Sequence, residues 1–197
     1  MKFTDGYWQM RPGMTPRYAE QVHEVEQTKD SLTVYAPTKK LTGRGDTLNL
    51  ALLTVQFSSP LENIIRVKIV HHKGGNPRKP EFEINQQPDL KVVISNDEKF
   101  ANLTSGDLSV RIHKGENWLV EFIGDDKVIT SSGWRATGFV DTTDPSGRFI
   151  HEQLSLGVGE NVYGLGERFT SFIKNGQVVD IWNEDGGTSS EQSYKNI

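Results

Sequence analysis

The residues best suited to chemistry lie in the stretch Trp182-Asn183-Glu184-Asp185-Gly186-Gly187-Thr188. A carboxylate, an amide and a hydroxyl between glycines could hydrogen-bond the hydroxyls of a sugar, and the indole adds a flat apolar face. The same residues also fit a turn at the end of a strand, with Asp185 capping backbone amides. Residue types alone leave both readings open.

Other candidate constellations carry less. His71 and His72 are adjacent at an expected strand end, where successive side chains point to opposite faces. Two diverging imidazoles cannot share a metal, so the pair reads as exposed histidine at the mouth of a loop. His23, His113 and His151 are isolated in sequence, and no metal site is assigned. In LGVGENVYGLGE, Leu156 to Glu167, Val162 stands where a dinucleotide fingerprint needs its third glycine, and no helix is expected after it. Those glycines read as tight turns that let strands cross closely. No Ser-His-Asp order with an elbow glycine pattern occurs, so no catalytic residue is assigned within the chain. No cofactor is expected.

The elements that must position such a loop read as strands. Ile65, Val67 and Ile69 alternate with Arg66 and Lys68, and Leu108, Val110 and Ile112 alternate with Ser109, Arg111 and His113. Each run buries one face and solvates the other. Leu50 to Phe57, Leu90 to Ile94, Asn117 to Phe122 and Gln177 to Trp182 are expected as strands from their β-branched and aromatic content. Ser105-Gly106-Asp107, Lys114-Gly115-Glu116, Gly124-Asp125-Asp126 and Asn175-Gly176 supply turn residues, and the first three make a meander. Helical apolar spacing is scarce, which disfavours a parallel βαβ fold. The pattern predicts an all-β protein, an antiparallel β-sandwich, with Trp118 in its core. Lys73 to Pro80 and Thr142 to Gly147 are expected as solvated loops.

Composition narrows the function classes. The chain has 197 residues, enough to bury one core, and a formal net charge of −4, which argues against a nucleic-acid partner. It contains no cysteine, so disulfides and thiolate metal sites are excluded and a reducing compartment, the cytoplasm, is expected. The first residues, MKFTDGYWQMRPG, lack a continuous apolar run, and no apolar stretch approaches the roughly 20 residues that span a bilayer, so no membrane partner is expected.

Val162-Tyr163-Gly164-Leu165-Gly166-Glu167-Arg168-Phe169 resembles the signature of the N-terminal domain of glycoside hydrolase family 31, the α-glucosidase and α-xylosidase family. Trp182 to Thr188 and Glu191 to Ile197 resemble its bacterial α-xylosidase branch, and Asp5-Gly6-Tyr7-Trp8 with Pro12-Gly13 extend the likeness to the start. At Glu184 the chain departs from that branch, which has an arginine there. The resemblance implies a galactose mutarotase-like sandwich over residues 1–197, incomplete at its C-terminal edge, preceding a catalytic (β/α)8 barrel that this chain lacks. It implies retaining hydrolysis by two aspartates of that barrel, so that the chain alone is inactive.

By the same resemblance, the loop projects over the barrel mouth and Asp185 binds substrate, with Asn183 and Thr188 as further candidates. Gly164 and Gly166 would permit a tight crossing, and an Asn175-Gly176 hairpin would present Asp185. The implied substrate is an α-xyloside of the xyloglucan type, reached through the full-length enzyme, itself a homo-oligomer. The competing readings are an α-glucosidase of the same family, a free-standing carbohydrate-binding module, and an assembly domain.

Overall fold

A computed structural model of the chain describes residues 4–5, 9–71, 85–143, 147–166, 170–179 and 181. Fourteen strands are present among them: β1 (Thr4–Asp5), β2 (Gln9–Met10), β3 (Met14–Tyr18), β4 (Glu24–Gln27), β5 (Ser31–Pro37), β6 (Leu52–Ser58), β7 (Arg66–Val70), β8 (Val93–Asn96), β9 (Phe100–Ser105), β10 (Leu108–His113), β11 (Val120–Gly124), β12 (Lys127–Ser132), β13 (Gly138–Thr142) and β14 (Arg148–His151). The described helical content is one 3-10 turn, Arg44–Thr47. Among the described residues no helix is long and apolar enough to cross a membrane.

The chain divides into two compact units, Gly13–Ser155 and a second formed by Met1–Pro12 with Leu156–Ile197. In the second, β1 and β2 pair antiparallel. The first holds three antiparallel sheets, ordered β4-β5-β6-β7, β12-β11-β10-β9-β8 and β14-β13-β3. Its core lies where every second residue of facing strands turns inward: Leu32, Val34 and Ala36 of β5, Leu53, Val55 and Phe57 of β6, Leu103 of β9, Val110 and Ile112 of β10, and Val120 of β11 are all buried. They form one cluster with Trp118 and Phe139, which makes the unit a β-sandwich.

The meander expected from its turns is β8 to β12, each strand paired with the next. Asp125 and Asp126, both with positive φ (50° and 57°), close β11 onto β12 as a two-residue turn whose twist suits a hairpin. Element ends differ from expectation for local reasons. Leu90 donates its N–H to the Gln87 carbonyl at 3.1 Å, closing a turn that delays β8 to Val93. Trp118 donates its backbone N–H to Glu20 at 2.9 Å and its indole N–H to Thr137 Oγ1 at 3.0 Å, outside the ladder, so β11 begins at Val120. Trp118 is nonetheless in the core, 3% exposed.

On the third sheet, Asp141 of β13 accepts from Arg17 Nε of β3 at 3.2 Å and Arg148 Nε of β14 at 2.5 Å, tying three strands. Partial burial alone would push this carboxyl up, but the two guanidinium groups outweigh it and hold Asp141 below the ordinary carboxylate range. A lowered folded-state pKa means the unfolded chain takes up the proton first, so the stabilisation is present above about pH 4 and lost as pH falls through the folded pKa. Asp141→Asn is therefore expected to cost about 1 kcal/mol or less at pH 7. In urea unfolding the difference from the parent should vanish at the acid end and shrink in high salt.

Candidate functional site

Of the loop residues expected to bind sugar, Asn183, Asp185 and Thr188 all lie outside the described residues, as do Trp182 and His72. The segment leading to them is described to Val178 and Val179, and at Ile181. Its expected strand, Gln177 to Trp182, does not form there: residues 177–179 and 181 are not strand, and Val178 and Ile181 are 64% and 58% exposed. β-branched residues favour a sheet only when a neighbouring strand and a buried face receive them, and this segment has neither among the described residues.

What replaces the hairpin is a clamp built by one side chain. Asn175 accepts the Val162 N–H on Oδ1 at 2.7 Å and donates from Nδ2 to the Glu160 carbonyl at 2.9 Å, so a single amide fixes two backbone groups of the opposite arm. Lys174 adds a backbone bond from its N–H to the Val162 carbonyl at 2.8 Å. Its ammonium, on a residue only 7% exposed, donates to Thr170 Oγ1 at 2.8 Å and the Ser171 carbonyl at 2.6 Å. The Gln177 N–H closes the Asn175-Gly176 turn on the Lys174 carbonyl at 3.0 Å, with Gly176 at φ +73°. Tyr163 and Phe172 pack their rings across the arms, centroids 5.1 Å apart.

The glycines of this segment also act otherwise than expected. Among the described residues no strand crosses at Gly164 and nothing lies within 4 Å of an added Cβ, so the glycine answers to its φ of +88° rather than to close packing. Leu165 and Gly166 follow with φ of +68° and +84°, a left-handed run that coils the arm before residue 167. Sequence reading missed Asn175 as a clamp. The signal was present in its amide beside glycine, but was spent on the turn.

The remaining candidates resolve as packing. His71 is half-buried, its ring 3.7 Å from that of the buried Phe139 at 57°, which corrects the expectation of an exposed loop histidine. His113, expected to be isolated, bonds Glu121 at 2.7 Å and meets the Phe100 ring edge-on at 5.0 Å. His151 Nδ1 donates to the Ala136 carbonyl at 2.8 Å. Among the described residues no three His, Asp or Glu side chains are grouped to hold a metal ion. Asp46 is held far below the ordinary carboxylate range by the Lys39 ammonium, then by Thr42 and the Gly43 amide, but these bonds staple a surface loop rather than arm a site. Trp134, unremarked in the sequence, is 74% exposed under the Arg135 guanidinium, 4.4 Å from its ring. It is the one exposed Trp or Tyr among the described residues of the sandwich unit, and one ring is not the planar set a binding module requires.

Residues 53–197 match the glycosyl hydrolase 31 N-terminal galactose mutarotase-like domain. The alpha-xylosidase XylQ of Lactiplantibacillus pentosus is 42% identical over 197 residues, covering 100% of this chain and 26% of that protein. An alpha-xylosidase of Emericella nidulans is 40% identical over 216 residues, covering 100% of this chain and 28% of that protein. The chain thus spans about a quarter of the length of these relatives. Among solved structures, the cycloalternan-forming enzyme of Listeria monocytogenes, crystallised with a pentasaccharide substrate, superposes with TM-score 0.65 at 16% identity, over 92% of this chain and 16% of that one. An uncharacterised protein of Listeria monocytogenes EGD-e superposes with TM-score 0.64 at 17% identity over the same shares, 92% and 16%. These structural likenesses concern the fold, and they agree with the three antiparallel sheets. The chain belongs to glycoside hydrolase family 31, as its N-terminal galactose mutarotase-like domain.

Proposed function

We propose that this sandwich is the non-catalytic N-terminal domain of a retaining α-xylosidase of the cytoplasm, and that its Asp185 loop lines the sugar site. The observation that carries the reading is identity of 40–42% over the whole chain to alpha-xylosidases of a bacterium and a fungus. Two carboxylates outside this chain perform the chemistry, one attacking the anomeric carbon while the other serves as acid and then base. The N-terminal domain contributes discrimination: Asp185, with Asn183 and Thr188, offers hydrogen bonds to sugar hydroxyls that strengthen in the transition state.

The full-length protein is expected to hydrolyse an aryl α-xyloside with kcat/KM at least tenfold above that for the matching α-glucoside. The reverse preference would make it the α-glucosidase alternative, and turnover of neither would end the glycosidase reading. Titration of the sandwich with xyloglucan oligosaccharides separates the module reading, which requires measurable affinity without the barrel.

A further inference from the structure

The turn that joins β12 to β13 is built against local preference. The Ala136 N–H closes it on the Gly133 carbonyl at 3.0 Å, which makes Arg135 its third residue, with φ at +58°. That position favours glycine, because a Cβ crowds the backbone in the left-handed region. Among the described residues of the sandwich unit, the others with positive φ are glycine, asparagine or aspartate, so Arg135 stands apart. Glycine would relieve the backbone there but would remove the guanidinium that covers the Trp134 ring, 4.4 Å from its centre. The strain thus serves a side chain that the core does not use: Trp134 is 74% exposed even beneath its arginine.

One register row of the third sheet brings further groups to the same turn. Tyr18, Gly138 and His151 stand opposite one another on β3, β13 and β14. Gly138 has no side chain, so the half-buried Tyr18 and His151 rings meet edge-on across it, centroids 5.5 Å apart. His151 is tied to the turn by Nδ1, which donates to the Ala136 carbonyl at 2.8 Å. In the neutral ring that bond leaves Nε2 as an acceptor. Burial pushes the Tyr18 phenol up, and the Arg135 charge opposes the rise, so the guanidinium lies within electrostatic reach of the phenol.

An exposed indole, a guanidinium donor, an imidazole acceptor and a phenol that can do either are gathered at one turn. We propose that Trp134 and Arg135, with Tyr18 and His151, form a binding site for a neutral sugar residue, the open face of the indole taking the pyranose ring and the polar groups its hydroxyls. An anion fits less well, since the neutral imidazole presents it a lone pair. A protein partner fits less well too, because a hot spot centred on tryptophan is ringed by apolar contacts, and the groups gathered here are polar. One ring with a few hydrogen bonds gives a contact of roughly millimolar strength, weaker than a free-standing module needs. None of these residues belongs to the Asp185 segment, so the inference does not depend on the role of that loop.

The test is hydrogen exchange on the full-length protein, read by mass spectrometry on the peptide that holds residues 133–138. Three neutral probes are added in turn at millimolar concentration: a xyloglucan oligosaccharide, cellotetraose and maltotetraose. At least one is expected to slow exchange there ~3-fold, the protection conferred by a ligand near its Kd. Trp134→Ala should abolish that protection. Arg135→Gly should abolish it as well while leaving the melting temperature equal or higher, because glycine accepts the left-handed backbone. An arginine kept only for stability would give the reverse, a lower melting temperature with protection intact, and would overturn the proposal. So would protection absent with all three probes, protection that survives Trp134→Ala, or protection that follows protein concentration instead of sugar.

Discussion

Phe139→Ala is expected to lower the unfolding free energy by about 3–5 kcal/mol, the range for truncating a buried aromatic. Phe139 is 1% exposed, belongs to the main core cluster, and carries the His71 ring on its face at 3.7 Å. Truncation leaves a hole on one side and strands a half-buried imidazole on the other. With ~2–4 °C per kcal/mol for a unit of this size, the melting temperature should fall by roughly 6–20 °C. Phe139→Leu should recover most of the loss, since a branched aliphatic refills the volume. A loss below about 1 kcal/mol for Phe139→Ala would mean the third sheet is not packed as described.

Its neighbour gives the second large effect. Gly138 opens β13 opposite Tyr18 of β3, and a Cβ built there would stand 2.4 Å from the Arg17 carbonyl oxygen and 3.1 Å from the Tyr18 Cα. These obstacles are backbone, so no rotamer change relieves them. The strands must separate, lengthening the ladder bonds that join β3 to β13. Gly138→Ala is expected at the top of the ~1–3 kcal/mol range for overpacking. Gly115→Ala is the matched control: nothing lies within 4 Å of its Cβ, and near-neutral stability is expected. Equal melting temperatures for the two variants would refute the close β3–β13 approach.

How far the sequence discloses this fold depends on whether a strand is half-buried or fully enclosed. Val110 and Ile112 alternate with polar residues on β10, and the period of two was enough to place them. The Asp125-Asp126 turn was legible because few residues accept two positive φ values in succession. β13 was not, since Gly138, Phe139 and Val140 are all buried and show no alternation to read. β5 was not among the expected strands, although its Leu32, Val34 and Ala36 alternate in the same way. Conversely, residues 177–179 and 181 have strand composition and, among the described residues, no sheet, a case of propensity without a partner.

The site divides along the same line. Residue types in Asn183, Asp185 and Thr188 indicated what the loop could bind, while the Asn175 clamp was invisible, because it joins residues more than ten positions apart through side-chain bonds that no periodicity records. The proposed function would give that carboxylate its role, narrowing a sugar site assembled from two domains.

That division of labour is tested most directly by the kinetics of Asp185→Ala in the full-length protein on an aryl α-xyloside. Loss of a charge-assisted hydrogen bond worth about 1.5–3 kcal/mol should lower kcat/KM at least tenfold with the melting temperature unchanged. Kinetic constants equal to those of the parent would contradict the claim that this N-terminal domain lends a substrate-binding carboxylate to a catalytic neighbour.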